Sequence, residues 1–398
     1  MDIRITPTGL RGTVRAIPSK SQAHRLLICS AFADRETSIY CPDINDDIAA
    51  TAQCLNALGA DICRTANGYK VTPVRSLPKT AVLNCRESGS TLRFLLPIAG
   101  ALGVDTTFQM AGRLPNRPLS PLWEEMEKKG CILSRPTPDT IRCQGKLPGG
   151  EYTIDGSVSS QFITGLLFAM AIIPDACHLT ITGKLESKPY IEMTQQALAT
   201  FGIDTTDFSV KEDSVFHSPG MLEVEGDWSN AAFFLAAKQL NNDVSVTNLR
   251  QDSPQGDRAV ASILPTLPQY PTICASDIPD LVPILAVTAG AIAGATFTNI
   301  GRLRLKESDR VETTAAMLRN LGATVTVTGD SMCVSPGKYH SCTIDAAGDH
   351  RIAMAAAIAA TVADGPVTIL GAQCVSKSYP AFWEEYKNLG GQYEQYIR

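Results

Sequence analysis

Polar and apolar residues follow one another along the chain in six similar segments. Each segment begins with polar residues, continues into a long apolar stretch with many small side chains, and ends in a Gly, Asp or Asn break before a β-branched run. This order is typical of a buried helix followed by a strand. The six segments begin at Ser21, Gly89, Ser159, Ser229, Asp280 and His350.

The spacing of the six segments indicates whole supersecondary units. Neighbouring segments begin about 70 residues apart, except for the fourth and fifth, which begin about 50 apart. A repeat of this length is a βαβ-type unit rather than one turn of a solenoid. Because 398 residues exceed one ordinary hydrophobic core, the six units are expected to form two domains of three.

A second pattern accompanies the first in five of the units: an amphipathic helix that ends at a glycine, with a strand after it. Glycine supplies the left-handed backbone that closes a helix. The glycines in this position are Gly59, Gly130, Gly202, Gly322 and Gly390.

The fourth unit departs from this pattern. Its corresponding stretch contains Pro265, Pro268 and Pro271, and prolines this close together break a long helix. We therefore expect a shortened unit, around residues 240–275, that lacks a helix end and a hairpin.

The longest uncharged stretch, residues 281–300, is long enough to span a membrane but contains Pro283, Gly290, Gly294 and several threonines. The pattern favours a buried helix that runs into a strand.

Cations and small polar residues precede the apolar segments, where helices are predicted to begin. An N-terminal helix end has four unpaired N–H groups and about half a positive charge, so it attracts anions. The polar residues at these ends are Ser19, Lys20, Ser21, Arg25, Ser88, Gly89, Ser90, Arg93, Ser159, Ser160, Gln161, Asp280, Asp349, His350 and Arg351.

Two interpretations of these helix ends remain open. Ser, Asp and Asn are ordinary helix N-caps and need no ligand. The cations favour an anion site, because Lys20, Arg25, Arg93 and Arg351 oppose the helix dipole unless a negative charge lies nearby. The loops after the predicted strands add further cations at equivalent places: Arg113, Arg117, Lys188, Arg302, Lys306, Arg310 and Lys377.

Asp280 and Glu307 stand among these cations. Two positioned carboxyl groups can transfer protons without a metal or a cofactor. The alternative is that Glu307 and Asp309 only form ion pairs with Lys306 and Arg310.

Composition excludes several other functions. The chain has 35 basic and 40 acidic residues, a net charge of −5, and no basic stripe, which argues against a nucleic-acid partner. Its 12 cysteines form no C-x-x-C pair and its 5 histidines lack metal-ligand spacing, so we expect reduced thiols, a cytoplasmic location and no metal. Nucleotide-binding and hydrolase motifs are missing from the sequence.

The chain resembles the 3-phosphoshikimate 1-carboxyvinyltransferase family, also called the 5-enolpyruvylshikimate-3-phosphate synthases, nearly from end to end. The motifs that carry the resemblance are PSKSQAHR (18–25), SGSTLR (88–93), NRP (116–118), DGSVSSQF (155–162), SKPYI (187–191), IPD (278–280), LKESDR (305–310), DHRIAM (349–354) and SKSYP (376–380).

The resemblance implies a two-lobed, inside-out α/β barrel with three βαβαββ-type repeats in each lobe. Because the family's chain crosses between the lobes twice, residues 1–13 and 226–398 would form the phosphoenolpyruvate lobe. Residues 14–225 would form the shikimate 3-phosphate lobe. A monomer is expected.

The implied reaction transfers the enolpyruvyl group of phosphoenolpyruvate to the 5-hydroxyl of shikimate 3-phosphate, in aromatic amino acid biosynthesis, without a cofactor. Asp280 would accept the hydroxyl proton, Glu307 would protonate the methylene carbon, and Lys20 would assist catalysis. Shikimate 3-phosphate would contact Lys20, Ser21, Arg25, Ser159, Ser160, Gln161, Ser187, Tyr190, Asp280 and Lys306. Phosphoenolpyruvate would contact Lys20, Gly89, Arg93, Arg117, Gln161, Arg310, Arg351 and Lys377.

Two residues depart from the family pattern: Glu87 and Arg302 each stand where the family usually has Asn. Two alternative functions remain open. One is an enolpyruvyl transferase that acts on UDP-N-acetylglucosamine, although the loop AGRLPNRP lacks that family's cysteine and the early pair is Lys20-Ser21 rather than Lys-Asn. The other is a non-catalytic anion-binding scaffold, which would not require Asp280 or Glu307.

Overall fold

The computed structural model describes residues 1–396, which form a mixed fold of helices and strands. The helices are α1 (Lys20–Ala31), α2 (Asp46–Ala57), α3 (Gly89–Leu102), α4 (Leu122–Lys128), α5 (Ser160–Ile172), α6 (Lys188–Thr200), α7 (Trp228–Gln239), α8 (Val260–Ile263), α9 (Val282–Ile292), α10 (Arg310–Leu321), α11 (His350–Ala360) and α12 (Phe382–Asn388).

The strands are short, and in many of them buried residues alternate with more exposed ones. They are β1 (Asp2–Thr6), β2 (Arg11–Arg15), β3 (Thr37–Tyr40), β4 (Asp61–Thr65), β5 (Gly68–Thr72), β6 (Thr80–Asn84), β7 (Asp105–Gln109), β8 (Ile132–Ser134), β9 (Thr140–Gln144), β10 (Gly150–Asp155), β11 (Cys177–Thr182), β12 (Ser209–Val210), β13 (Met221–Glu223), β14 (Asp243–Thr247), β15 (Thr272–Cys274), β16 (Ala295–Thr298), β17 (Thr324–Thr328), β18 (Ser331–Ser335), β19 (Cys342–Asp345), β20 (Val367–Leu370) and β21 (Gln392–Tyr396).

Six helices, α1, α3, α5, α7, α9 and α11, lie in the six repeated apolar segments and are buried along most of their length. The uncharged stretch at 281–300 forms α9 followed by β16, so the prediction of a helix that runs into a strand is confirmed. Within residues 1–396, no helix is both long and apolar enough to cross a membrane.

The amphipathic helices α2, α4, α6, α10 and α12 lead to the five predicted glycines. All five glycines have positive φ: 105° at Gly59, 98° at Gly130, 84° at Gly202, 105° at Gly322 and 90° at Gly390. Left-handed backbone is what closes a helix and turns the chain into the next strand, so this prediction is confirmed.

The sheets share one pairing pattern. In four of the sheets, the first two strands pair in parallel and the next two pairings are antiparallel. Their strand orders are β13-β3-β5-β4, β6-β7-β9-β8, β15-β16-β18-β17 and β19-β20-β1-β21. The two smaller sheets are β10-β11-β12 and β14-β2.

The two-stranded sheet β14-β2 belongs to the unit that is interrupted by prolines. In place of a long helix, α8 covers only Val260–Ile263 and a 3-10 turn follows at Leu264–Gln269. The helix is interrupted here for a local reason, because proline removes the N–H that a continuing helix requires.

The chain divides into two compact units. We call Met1–Ile17 with Glu225–Arg398 the split unit, and Pro18–Val224 the continuous unit. The sequence places these divisions at 13/14 and 225/226. In the structure, the first division follows Ile17 rather than residue 13. β2 pairs in parallel with β14 over Arg11–Arg15, and this pairing keeps β2 in the split unit. Each unit has its own apolar core.

Gly165 of α5 packs directly on α3 in the continuous unit. A Cβ at this position would overlap the backbone carbonyl oxygen of Arg93 and lie 3.1 Å from Pro97 Cγ. The obstacle is helix backbone, which cannot rotate away.

We predict that Gly165→Ala lowers the free energy of unfolding by about 1–3 kcal/mol through overpacking, despite the better helix propensity of alanine. Urea denaturation measures the loss. Gly9→Ala is the control, because the nearest atom to its Cβ is 4.0 Å away. Equal midpoints for the two variants would contradict the prediction.

Candidate functional site

Arg310 is the centre of the charged cluster in the split unit. It is the first residue of α10, and its side chain is 1% exposed. Its guanidinium donates to Asp280 Oδ1 at 2.7 Å, to Glu307 Oε2 at 2.7 Å and to Asp349 Oδ2 at 2.9 Å. These carboxylates flank the N-terminal ends of α9, α10 and α11, so one guanidinium joins three helix ends.

Arg351, in the first turn of α11, is the second buried cation of the cluster. It donates to Asp280 Oδ2 at 3.3 Å and to the backbone oxygen of Ser229 at 3.0 Å. Burial opposes the charge of both arginines, but the neighbouring carboxylates outweigh it and raise the pKa of Arg310 and of Arg351. Both guanidiniums are therefore charged at neutral pH.

Asp349 is the N-cap of α11 and accepts from the backbone N–H of Arg351 at 3.0 Å. It is fully buried and also accepts from the hydroxyl of Ser308 at 3.0 Å. A buried carboxylate needs this many donors, because an unpaired buried charge is costly.

Two lysines lie at the edge of the cluster. Lys306 Nζ is 3.7 Å from Asp280 Oδ1, and Lys377 donates to the backbone oxygen of Gly348 at 2.9 Å. Burial lowers the pKa of Lys306 to about 8; Asp280 counteracts this shift and Arg310 adds to it.

The carboxylates differ in accessibility and in partners. The side chains of Asp280 and Glu307 are 22% and 26% exposed, so a ligand can reach both. Glu307 pairs with Arg310, whereas Asp309 is the N-cap of α10 and pairs with Arg304 at 2.9 Å. The ion pair that the sequence alternative expected therefore exists for Glu307, whereas Asp309 pairs with Arg304 and not with Lys306 or Arg310.

Asp257 is a member of this cluster that the sequence analysis missed. It is 2% exposed and accepts a hydrogen bond from the hydroxyl of Ser229. Burial, reinforced by Asp280, raises its pKa to about 7 against the opposing charge of Arg351. It lies in the stretch at 240–275, whose sequence departs from the repeated pattern, so no matching copy in the other units indicates it.

In the continuous unit, two guanidiniums lie against the N-terminal end of α3. A Cβ on Gly89 would be 2.6 Å from Arg93 Nη1 and 2.8 Å from Arg117 Nη1. Because Gly89 has no side chain, both guanidiniums can lie in this space at the N-terminal end of α3. Together they form an anion-binding geometry.

Arg93 and Gln161 connect the N-terminal ends of α3 and α5. Arg93 donates to Gln161 Oε1 at 3.0 Å and to the backbone oxygen of Pro118 at 3.1 Å, and Gln161 donates to Ser90 Oγ at 3.0 Å. Ser159 is the N-cap of α5, and Ser160 is the first residue of that helix.

Arg25, Ser21 and Tyr190 form a third group in this unit. The buried guanidinium of Arg25 donates to Thr194 Oγ1 at 2.9 Å and to the backbone oxygens of Ser21 at 2.6 Å and Tyr190 at 2.8 Å. Burial lowers its pKa to about 10, so it remains charged at neutral pH. Ser187, with φ of 55°, precedes α6 beside this group.

These contacts correct one inference from the sequence. The cations at the helix ends do not each require an outside anion, because the chain supplies acceptors of its own. Lys20 pairs with Asp47 at 3.0 Å in the same way. An anionic ligand would therefore compete with carboxylates and carbonyl oxygens that are already in place.

Glu87 is one of the two residues that depart from the family pattern. Its carboxylate packs against Gly112, whose φ of 57° and missing side chain make room for it. Arg302 lies in a 3-10 turn at Gly301–Leu305, just before Lys306. Within residues 1–396, no group of three or more His, Cys, Asp or Glu side chains could hold a metal ion.

Known proteins resemble this chain over its whole length. The family profile described as EPSP synthase (3-phosphoshikimate 1-carboxyvinyltransferase) matches residues 5–268 and 271–386. The 3-phosphoshikimate 1-carboxyvinyltransferase of Clostridium kluyveri is 37% identical over 422 residues, covering 99% of this chain and 98% of that protein. The protein of that name from Clostridium beijerinckii is 34% identical over 430 residues, with 99% of each covered.

Solved structures show the same fold. EPSP synthase from Acinetobacter baumannii superimposes with a TM-score of 0.79 at 22% identity, over 99% of this chain and 100% of that one. The enolpyruvyl transferase NikO from Streptomyces tendae gives a TM-score of 0.73 at 17% identity, over 99% of this chain and 98% of that one.

We predict that Arg310→Gln strongly destabilises the protein. It leaves Asp349 buried without its cation, and breaking a buried pair in this way costs about 3–5 kcal/mol. Arg304→Gln is the control, because Arg304 is 37% exposed and surface pairs contribute about 0–1 kcal/mol. Urea denaturation compares the two variants, and similar midpoints would show that the cluster does not stabilise the fold.

Proposed function

Because this chain belongs to the EPSP synthase (3-phosphoshikimate 1-carboxyvinyltransferase) family, we propose that it transfers the enolpyruvyl group of phosphoenolpyruvate to shikimate 3-phosphate. The products are 5-enolpyruvylshikimate 3-phosphate and phosphate, in the route to chorismate and the aromatic amino acids. The observation that carries the proposal is the attachment of two accessible carboxylates, Asp280 and Glu307, to one buried guanidinium. A binding scaffold needs the cations but not the two acids.

The proposed shikimate 3-phosphate contacts lie mainly in the continuous unit. Ser159 and Ser160 stand at the N-terminal end of α5, where hydroxyl and backbone N–H groups suit a phosphate. Further contacts are assigned to Lys20, Ser21, Arg25, Gln161, Ser187 and Tyr190 in the continuous unit, and to Asp280 and Lys306 in the split unit.

Phosphoenolpyruvate carries a phosphate and a carboxylate, and both groups form charge-assisted hydrogen bonds with lysine and arginine. We assign it to Lys20, Gly89, Arg93, Arg117 and Gln161 in the continuous unit, and to Arg310, Arg351 and Lys377 in the split unit. The space that Gly89 leaves for two guanidiniums supports the phosphate assignment.

The chemistry is an addition followed by an elimination. Asp280 accepts the proton of the 5-hydroxyl as its oxygen bonds to C2 of phosphoenolpyruvate, and Glu307 donates a proton to C3, which becomes a methyl group. In the elimination, Glu307 takes back a proton from the methyl group as the bond between C2 and the phosphate oxygen breaks. Asp280 gives its proton to the departing phosphate, which restores the double bond and returns both carboxyl groups to their starting state. Lys20 and Lys306 stabilise the negative charge that develops.

We also propose the finer architecture. The split and continuous units would be the two lobes of an inside-out barrel, each with three βαβαββ-type repeats, of which the one around residues 240–275 is shortened. We further propose that the protein is a cytoplasmic monomer that uses no cofactor. The matching sheet patterns in the two units support it.

Phosphate release tests the function directly. Purified protein is given phosphoenolpyruvate together with shikimate 3-phosphate, shikimate or UDP-N-acetylglucosamine. We expect phosphate only with shikimate 3-phosphate. Turnover with UDP-N-acetylglucosamine, or binding of shikimate 3-phosphate without any turnover, would overturn the proposal.

In the same assay, Asp280→Asn and Glu307→Gln should each lower kcat by about 10² or more while substrate binding remains measurable, because each removes a proton-transfer group. Glu312→Gln is the control, since Glu312 pairs with Arg304 at 3.0 Å outside the cluster. Near-normal turnover in either of the first two variants would remove that residue's assignment.

The lowered pKa of Lys306 predicts a pH dependence. Its charged form is lost as the pH rises through about 8, so kcat/KM should be level below that value and fall by about tenfold per unit above it. Arginine stays charged, so Lys306→Arg should move the fall to higher pH.

Lys128→Arg is the matched control, because the Lys128 side chain is 66% exposed and its replacement should leave the profile unchanged. If the Lys306→Arg profile falls at the same pH as that of the wild type, another group is responsible.

A further inference from the structure

His24 is a buried titratable residue that the proposed reaction does not use. It lies in α1 between Lys20 and Arg25, and its ring is fully buried against Phe94 of α3, edge to face, with ring centroids 6.3 Å apart. Its Nδ1 lies 2.7 Å from Thr51 Oγ1 of α2. Its Nε2 has no hydrogen-bond partner within residues 1–396.

Thr51 is the first link in a buried chain of hydroxyl groups. Thr51 Oγ1 lies 2.7 Å from Thr91 Oγ1, and Thr91 Oγ1 donates to Ser88 Oγ at 2.7 Å. Ser88 is the N-cap of α3 and accepts from the backbone N–H of Thr91 at 3.2 Å. The chain therefore runs from α1 through α2 to the helix end that holds Gly89 and Arg93.

The number of available protons determines which group donates in each of these hydrogen bonds. Each hydroxyl has one proton, and that of Thr91 goes to Ser88 Oγ at 2.7 Å in preference to the backbone oxygen of Asp47, which is 3.5 Å away. At 2.7 Å, Thr51 must then donate to Thr91, and the Nδ1 of His24, also at 2.7 Å, must donate to Thr51. His24 is therefore neutral, with its proton on Nδ1 and a bare Nε2.

The surroundings favour this neutral form. Lys20 and Arg25 flank the ring on its own helix, and a proton on Nε2 would have no acceptor within residues 1–396. Burial, together with Lys20 and Arg25, lowers the pKa of His24 well below its ordinary value. On α2, Asp47 is paired with Lys20.

We infer that His24 is a positioning residue for the reaction proposed above: its Nδ1–H orients the hydroxyls of Thr51, Thr91 and Ser88, and so fixes the anion-binding end of α3 relative to α1. Lys20 and Arg25 lie on α1, and Gly89 and Arg93 lie on α3. A small displacement between these groups weakens the hold on a phosphate, because oriented contacts lose their effect over distances near 1 Å.

¹⁵N NMR of the His24 imidazole tests the series of hydrogen bonds from His24 to Ser88 without any substrate. Long-range ¹H–¹⁵N spectra should show one histidine with a protonated Nδ1 and a bare Nε2 that does not change between pH 8 and pH 5.5, and its signals should vanish in His24→Asn. A proton on Nε2, or protonation within that range, would overturn the inference.

Kinetics test the positioning role. His24→Leu removes the donor and should lower kcat/KM by about tenfold or more, mainly through a higher KM for phosphoenolpyruvate. His24→Asn keeps an N–H donor and should restore most of the loss. Thr51→Val should match His24→Leu, and the double variant should be no worse than either single one, because both break the same chain.

Thr106→Val is the matched control for stability. Thr106 is fully buried and donates to the backbone oxygen of Val104 at 2.9 Å in β7, so its removal costs a similar buried hydrogen bond elsewhere in the continuous unit. His24→Leu should raise KM where Thr106→Val does not, at similar Tm. Equal kinetics for these two variants would reduce His24 to a structural role and overturn the inference. A wild-type protein without turnover would overturn the proposed function instead, and the NMR result would then decide the inference alone.

Discussion

Positive charge concentrated at the N-terminal ends of buried helices is the constraint on which the rest of this structure depends. The free N–H groups of a helix end already carry partial positive charge, and here arginines and lysines lie beside them. In the split unit, Arg310 and Arg351 are almost completely buried. Such an arrangement is stable only when hydrogen-bond acceptors are equally close, and in this unit they are mainly carboxylates.

The carboxylates that satisfy this constraint are also the groups suited to chemistry. Asp349 is fully buried and serves as a fixed counter-ion and helix cap. Asp280 and Glu307 hold the same guanidinium but remain partly exposed. An incoming anion that binds Arg310 would compete with these two acids. In the proposed reaction, substrate binding would therefore free the two carboxyl groups to which proton transfer is assigned. The continuous unit instead uses neutral acceptors for Arg25 and Arg93.

The sequence predicts much of the fold, because helices and their ends depend on local interactions. The six buried helices, the five closing glycines and the effect of Pro265, Pro268 and Pro271 all follow from short-range rules. The assignment of β2 to the split unit depends on its pairing with β14, more than 200 positions along the chain. No local pattern reports such a pairing.

The sequence likewise predicts only part of the candidate site. Motifs identify Lys20, Arg93, Asp280, Glu307 and Arg310, but they do not show that Arg310 joins three carboxylates or that Asp309 pairs with Arg304. Asp257 and the chain from His24 to Ser88 are visible only once distant segments are packed together. Buried polar groups obtain their partners from tertiary structure, which a single sequence does not display.

A crystal structure of the protein with shikimate 3-phosphate tests most directly whether these helix ends are anion sites. The account predicts that the substrate's phosphate lies within hydrogen-bond distance of the hydroxyls of Ser159 and Ser160 at the N-terminal end of α5. A phosphate bound away from every helix N-terminus, or no bound substrate at saturating concentration, would contradict it.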